Sequence, residues 1–280
     1  MTSALQPGTP PADPTRTPIS DRDPRELPTT VTQTDPESSI PDTELAPGPS
    51  QVRLARKAGL LYLVIAIFGA FAQVIRVRVY APGDAATTTA NLIANASLVR
   101  LSFAADLLQA LVWLCLALVL HRLFAHAGTY LARAMVIFVV FSAGIASLNM
   151  VHQLGALLVA TTPAYTAAFG TAGSQGMALL LMDIQHYGYL IAQLSWLWLF
   201  ALGLLGYRSG LFPRPLALVL MLGTVCYMAD ALLQFLAPGA AHISTAMFVP
   251  WEILSEVSLL LYLLIKGVRT PRPAPTAHTP

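Results

Sequence analysis

Ionisable side chains recur inside apolar stretches of this sequence. Past residue 50 there are six acids, and five of them lie within long apolar runs: Asp106, Asp183, Asp230, Glu252 and Glu256. His152 and His186 have similar surroundings. Carboxylates and imidazoles can transfer protons or bind a metal ion. Because charged groups are costly away from water, we expect these side chains to face a shared interior where they are paired or neutralised.

The spacing of these residues favours such an interior. Asp183 and His186 are three residues apart, whereas Asp230 and Gln234 are four apart, as are Glu252 and Glu256. Side chains three or four positions apart lie on one side of an α-helix. The same spacing relates Asp106 to Gln109, and Asn149 to His152 and Gln153. Several helices would therefore each present one polar face.

The charge balance indicates what could neutralise this interior. Three arginines belong to the same side of the predicted bundle: Arg76, Arg78 and Arg100. Against five carboxylates, these three arginines leave two negative charges without a counter-charge. Two protons, two protonated histidines or a divalent cation would neutralise them. His152, His186 and Asp230 are the candidate ligands for such a metal. No HExxH or HxxxH motif fixes a ligand set.

A purely structural role is the alternative for some of these residues. Asp183 would cap the start of a helix, and Glu252, two residues after Pro250, would occupy a first helical turn. Arg76 and Arg78 would extend toward lipid headgroups. An interior site is favoured for the residues that lie deeper in their apolar runs, namely Asp106, His152, Asp230 and Glu256.

The elements that must hold these residues are apolar helices. The chain is 55% hydrophobic and 11% charged, whereas soluble domains carry about 25% charged residues. Six apolar runs approach or exceed the roughly 20 residues that a spanning helix needs. They cover approximately residues 58–80, 99–122, 131–159, 181–206, 214–236 and 247–265. The predicted fold is all-α, an integral membrane bundle of six transmembrane helices.

The predicted domain organisation places this bundle between two tails. Residues 1–50 hold eight of the fourteen acids and eleven of the twenty-one prolines, and have no long apolar run. Such a composition is typical of a disordered, acidic, Pro-rich tail. The six-helix domain covers residues 51–268, and residues 269–280 form a second disordered tail. The net charge of +2 comes from basic residues that flank spans, so nucleic acid is not an expected partner.

Lysine and arginine predict the orientation. With a cytoplasmic N-terminus, ten of these residues fall on the inner side and three on the outer side. The predicted outer loops at residues 160–180 and 237–246 contain neither. Because short cytoplasmic loops are enriched in Lys and Arg, both termini are predicted to be cytoplasmic.

Two classes of function are consistent with this pattern. The first is a non-enzymatic membrane protein, either a small-solute or proton-coupled carrier or a sensor. The second is a metal-dependent intramembrane hydrolase, since a metal-activated water needs histidine and carboxylate ligands. In both classes the expected partner is the lipid bilayer. The sequence does not identify the small-molecule ligand, the oligomeric state, or any cofactor other than a candidate divalent metal.

Three stretches are similar to a known family. They are RKAGLLYLVIAIFGAFA (56–72), PGDAATTTANL (82–92) and GYRSGLFPRPLALVLMLGTVCYMAD (206–230). Over approximately residues 52–267 the chain resembles a bacterial family of multi-pass membrane proteins known as domain of unknown function 4386. The most specific part is the turn with Gly206, Tyr207, Ser209, Gly210, Pro213 and Arg214. The resemblance implies an integral protein of a bacterial plasma membrane and brings no activity or catalytic residue.

Overall fold

The computed structural model describes residues 49–194 and 196–269, which contain helices and no strand. The predicted tail at 1–50, except its last two residues, lies outside the described residues. So does the predicted tail at 269–280, except its first residue. The disorder predicted for these tails therefore stays a prediction.

Eight α-helices form the described part of the chain. They are α1 (Pro49–Val79), α2 (Ala85–Ala94), α3 (Ala96–Phe124), α4 (Thr129–Thr161), α5 (Pro163–Leu194), α6 (Leu197–Ser209), α7 (Arg214–Leu236) and α8 (Ala241–Leu261). Short 3-10 turns follow α3 and α7, and a π-helical turn at Tyr262–Lys266 extends α8.

The predicted six-helix fold is confirmed. Six segments are long and apolar enough to cross a membrane: Ser50–Val79, Ala96–Ala127, Thr129–Thr161, Pro163–Ser209, Arg214–Leu236 and Ala246–Lys266. The shortest has 21 residues, which matches the roughly 20 residues needed to cross the hydrocarbon core. The fourth segment combines α5 and α6.

All three predicted outer loops contain helices: the one after α1, the one at 160–180, and the one at 237–246, which holds a 3-10 turn and the start of α8. The loop after α1 holds α2, which begins after Asp84, whose side chain accepts a hydrogen bond from the Thr87 amide. The predicted loop at 160–180 belongs mostly to α5, which begins at Pro163. Of its three glycines, Gly170 has non-helical dihedral angles (φ 71°, ψ 168°), so only there is the helix interrupted. Glycine lowers helix propensity without forbidding a helix, which explains why this prediction was wrong.

Two further interruptions lie in the spans. α5 ends at Leu194 and α6 begins at Leu197, so the fourth span consists of two helices. In α8, Pro250 lies inside the helix and cannot donate the backbone hydrogen bond that an internal residue normally makes. Broken helices are tolerated at membrane depth where protein surrounds them, and carriers commonly have binding sites at such breaks.

The outer surface of the bundle is apolar. Large apolar side chains are exposed on all six spans, for example Ile67, Leu111, Ile137, Leu180, Val225 and Leu261. Exposed apolar patches of this extent are unusual for proteins in water. The buried polar side chains include Asp106, Gln153, Asp230 and Glu252. An apolar exterior is what lipid contact requires, and the interior contains polar groups in addition to its apolar core.

The buried apolar residues form two separate clusters. The larger apolar cluster contains Tyr62 and Ile65 of α1, Trp113 of α3 and Leu259 of α8, and extends to the α6–α7 turn. The smaller apolar cluster contains Ile75 and Val79 of α1 with residues of α2, α3, α4 and α5. On α3 and α4 the polar residues of interest fall between the stretches that enter these two clusters. α5 enters only the smaller apolar cluster, and Arg76 of α1 lies between its Ile75 and Val79. The polar side chains of α3 and α4 therefore form a layer between the two clusters.

Glycines permit close contact between spans beside this layer. A Cβ at Gly188 of α5 would overlap the Asn149 side chain of α4, and one at Gly223 of α7 would overlap Ser255 of α8. At Gly203 the nearest atom would be the Ala217 carbonyl oxygen, 2.9 Å away. Small residues let membrane helices approach closely, which is how α4–α5, α6–α7 and α7–α8 pack.

Candidate functional site

The candidate site is the polar layer between the two apolar clusters. We use "polar layer" for the following residues: Arg76, Ser102, Asp106, Asn149, Gln153, Asp183, Gln185, His186, Tyr189, Tyr227, Asp230, Glu252 and Glu256. Each of α1, α3, α4, α5, α7 and α8 contributes at least one of them.

An ion pair joins α1 and α3 in this layer. Arg76 Nη1 donates to Asp106 Oδ2 at 2.6 Å, with side-chain exposures of 12% and 7%. Arg76 Nε also donates to Gln73 Oε1 at 3.0 Å. Its guanidinium carbon is 5.7 Å from the centre of the Tyr189 ring, which places a cation against an aromatic face. Asp106 is therefore neutralised by a partner within the chain.

Asp183 is bound by a tyrosine and lies inside a helix, not at its start. The Tyr80 hydroxyl donates to Asp183 Oδ1 at 2.6 Å, and the Tyr80 and His186 rings are 5.9 Å apart. Burial, followed by the bond to Asp183, raises the pKa of Tyr80 above its usual range. The helix continues through Asp183 from the break at Gly170, so the capping role considered for Asp183 is wrong.

Three carboxyl groups lie on α7 and α8 with no basic partner among their hydrogen bonds in the described chain. Asp230 accepts from Gln234 Nε2 and Ser244 Oγ, both at 2.7 Å. Glu256 Oε1 accepts from the Tyr227 hydroxyl at 2.7 Å. Glu252 is 4% exposed, and its Oε1 has no hydrogen-bond partner among the described residues. Because α8 begins at Ala241, the expectation that Glu252 lies in a first turn is wrong.

Electrostatic interactions connect these groups. Glu252 is within range of the charges of Asp230 and Glu256. Tyr189 of α5 is within electrostatic range of Arg76 and Asp106, and also of Glu252 and Glu256. Tyr189 is therefore close to both the neutralised α1–α3 pair and the two acids of α8.

Amide side chains hold the α3–α4–α5 side of the layer. Asn149 Nδ2 donates to the Gln185 carbonyl oxygen at 2.7 Å, and Gln153 Nε2 donates to Ser102 Oγ at 3.2 Å. The half-buried His152 has its Nδ1 3.2 Å from the carbonyl oxygen of Asn149 in its own helix. The two amide contacts join neighbouring helices. The contact of His152, in contrast, stays within its own helix.

The remaining sequence candidates are not brought together. Arg78 and Arg100 are exposed, so they do not compensate the buried acids. No three His, Cys, Asp or Glu side chains in residues 49–194 and 196–269 are arranged to hold a metal ion. The three candidate ligands His152, His186 and Asp230 thus form no such group in the described chain, and a metal stays a prediction from the sequence.

Sequence reasoning missed three tyrosines. Tyr80, Tyr189 and Tyr227 were not among its candidates. Their spacing would have identified two of them, because Tyr189 is three residues after His186 and Tyr227 three before Asp230. A tyrosine hydroxyl that is withdrawn from water needs a polar partner, and a carboxylate supplies it for Tyr80 and Tyr227.

The turn between α6 and α7 is held by specific contacts at the opposite side of the bundle from α2. Gly210 ends α6 in the left-handed conformation (φ 68°), and a Cβ at Gly206 would overlap the Phe212 ring. The Leu211 carbonyl oxygen accepts from the Tyr262 hydroxyl at 3.1 Å and from the Arg269 amide at 3.0 Å. The turn motif of the sequence is therefore explained by packing.

The turn motif lies in a region that matches a known protein family. Residues 57–267 match the model of the family described as Domain of unknown function (DUF4386). No curated protein and no solved structure matches the chain. The match covers five spans in full, the first span from residue 57 onward, and the whole polar layer, so this chain belongs to the DUF4386 family.

Proposed function

We propose that this chain is an integral protein of the bacterial plasma membrane, with both termini cytoplasmic, and that it is a proton-coupled carrier of a small solute. The observation that carries the proposal is Glu252, a buried carboxyl group with an oxygen that has no partner among the described residues. The distribution of Lys and Arg supports the orientation.

The charge balance of the α5–α8 half supports proton binding. Its Lys and Arg residues are confined to helix ends and to the chain beyond α8: Arg208, Arg214, Lys266 and Arg269 among the described residues. Asp230, Glu252 and Glu256 have no such residue beside them in sequence. An isolated buried carboxylate costs on the order of several kcal/mol, so these groups must be neutralised by bound protons or another cation.

The groups that face Glu252 and Glu256 carry no positive charge. They come from three neighbouring helices and are Tyr62, Tyr189, Cys226, Tyr227 and Asp230. Arg76, which is also within electrostatic range of Tyr189, is already paired with Asp106. A proton on Glu252 would remove its repulsion from Asp230 and Glu256 and favour the close packing of α7 on α8. Loss of that proton would favour their separation.

The interrupted helices provide places where such a movement can occur. Pro250 is two residues before Glu252, and the α5–α6 break follows Tyr189 by five residues. Breaks of this kind let parts of a span move separately. A sensor would share the proton-binding group without moving a solute. The hydrolase alternative gains no support from the ligand positions in the described chain.

Infrared difference spectroscopy of the purified protein tests the proposal. Between mildly acidic and mildly alkaline buffer, the parent should show a protonated carboxyl signal that Glu252→Gln removes. Glutamine resembles the protonated acid, so the variant should still fold. Asp84→Asn is the matched control, since Asp84 caps α2 outside the spans and its pKa is lowered by hydrogen bonds from Thr87. An unchanged carboxyl signal in Glu252→Gln would refute proton binding at this group.

A further inference from the structure

We propose that the α7–α8 carboxyl groups bind a small quaternary ammonium ion in exchange for a proton, with tyrosine rings forming the walls of the site. This inference rests on the proposed function and adds the class of solute. It is supported by the spacing of the carboxyl groups, by the aromatic residues around Glu256, and by buried polar atoms that have no partner.

The spacing of the carboxyl groups favours an organic cation. Asp230, Glu252 and Glu256 are close enough to interact electrostatically, yet the described residues hold no group of three arranged around one metal ion. A cation of several atoms can interact with more than one carboxylate without the close arrangement of ligands that a metal ion requires. Its charge would offset the deficit that the buried acids create.

Aromatic side chains surround Glu256. Tyr227 donates to it, and Tyr62 of α1 and Tyr189 of α5 lie within range of its charge. Tyr227 packs against Trp196 with ring centroids 4.3 Å apart, and Tyr62 against Trp198 at 6.3 Å. Aromatic faces attract organic cations through the ring quadrupole, and the attraction is stronger where water is excluded.

Two buried polar atoms beside Glu256 have no partner in the described chain. They are Glu252 Oε1 and the Tyr62 hydroxyl, on residues that are 4% and 5% exposed. Buried polar atoms are normally satisfied, so each such atom requires an explanation. Both lie within electrostatic range of Glu256, one on α8 itself and one on α1. A bound cation would neutralise the Glu252 carboxylate by its charge, and a water that enters with it would accept from the Tyr62 hydroxyl.

Exchange follows from sharing the same carboxyl groups. A cation that binds Glu252 and Glu256 as carboxylates displaces the proton that neutralises them otherwise. One proton is released for each positive charge bound, so charge is conserved and no other reactant is needed. The cation and the proton therefore compete, and the affinity for the cation should rise with pH.

Binding of benzyltrimethylammonium to the full chain in detergent tests this inference. We expect tryptophan fluorescence to change on binding, because Trp196 and Trp198 pack on the tyrosines of the site. A pH indicator in weak buffer should report proton release. In the parent protein the apparent Kd should fall by about tenfold per pH unit while one proton competes.

Variants separate the outcomes. Glu256→Gln and Tyr227→Phe should each weaken binding at least several-fold, whereas Asp84→Asn, outside the spans, should bind as the parent does. The parent's own pH dependence provides the test even if a carboxyl variant fails to fold. No binding, or binding without proton release, overturns the exchange. If Glu252 still titrates by infrared spectroscopy in that case, the proposed proton coupling stands alone.

Discussion

At the scale of single residues, the acids of the polar layer differ in how they are neutralised. Asp106 has an arginine at 2.6 Å, and Asp183 has a tyrosine hydroxyl at the same distance. Glu256 also has a tyrosine, Asp230 has an amide and a serine, and one oxygen of Glu252 has no partner among the described residues. Asp106 and Glu252 require different experiments, because Asp106 has a positively charged partner and Glu252 has none among the described residues.

The Arg76–Asp106 pair should behave as one unit in stability measurements. Arg76→Gln or Asp106→Asn alone leaves a buried charge without its partner, which typically costs about 3–5 kcal/mol of unfolding free energy. The double variant removes both charges and should lose less than the sum of the two single losses. Unfolding of the four proteins in detergent with increasing denaturant measures this coupling.

A control for that cycle lies on the same helix. Arg78 is exposed, so Arg78→Gln should change the unfolding free energy by no more than about 0.5 kcal/mol. If the losses from Arg76→Gln and Asp106→Asn simply add in the double variant, the two side chains are not coupled and the pair does not stabilise the α1–α3 contact.

At the scale of helices, α4 and α5 are joined through a glycine and an asparagine. Gly188 leaves room for the Asn149 side chain, whose amide donates to the Gln185 carbonyl oxygen at 2.7 Å. Gly188→Ala should therefore destabilise the protein by about 1–3 kcal/mol through overpacking, although alanine favours helices. Thermal unfolding in detergent, monitored by circular dichroism, is the measurement.

Two further variants show whether the clash is responsible. Gly176 is on the same helix, and a Cβ there would meet nothing within 4 Å, so Gly176→Ala should be neutral or slightly stabilising. Asn149→Ala should recover part of the loss when combined with Gly188→Ala. A Gly188→Ala protein that melts with the parent would show that α4 and α5 do not pack as described.

The helices also show where sequence reasoning succeeded and where it could not. Apolar length alone predicted six spans, because the hydrocarbon core imposes that length on any spanning helix. Periodicity does not reveal a kink such as Gly170, a break such as that between Leu194 and Leu197, or a continuous helix through Pro250. These depend on packing between helices, which a single sequence does not contain.

At the scale of the whole molecule, the polar layer was predicted in composition but not in pairing. Spacing placed Asp230 with Gln234 correctly, since both lie on one helix. It could not assign Tyr80 to Asp183 or Tyr227 to Glu256, because these contacts join different helices. His186 was grouped with His152 and Asp230 as a candidate metal ligand, whereas its ring lies against Tyr80 and Tyr187. The order of helices around the bundle decides these contacts.

The position of the layer bears on the proposed carrier. Along α3 and α4 it separates the larger apolar cluster, which includes the α6–α7 turn, from the smaller one beside α2. With both termini cytoplasmic, the smaller cluster would cover the layer on the outer side. Access from outside would then require movement near α2 and α5, and access from inside would require movement of the larger cluster.

The orientation can be tested directly. Ten Lys and Arg residues against three predict that Gly128 and Gly210 face the cytoplasm and that Pro163 and Gly239 face outside. The structure makes all four suitable positions, because each lies at or beside a helix boundary: before α4, after α6, at the start of α5 and before α8. Reporter fusions at these positions, active on only one side of the membrane, should alternate accordingly.

Cysteine labelling in the full-length chain provides an independent reading of the same topology. Cys115 and Cys226 are free and would first be replaced by alanine. A single cysteine at Gly239 should then react with an impermeant maleimide on intact cells, whereas one at Gly210 should react only after lysis. The expected difference follows from the predicted orientation, in which Arg208 and Arg214, on either side of Gly210, place the α6–α7 turn on the cytoplasmic side. A reversed pattern at any two of the four positions would reverse the orientation and with it the side from which the polar layer is reached.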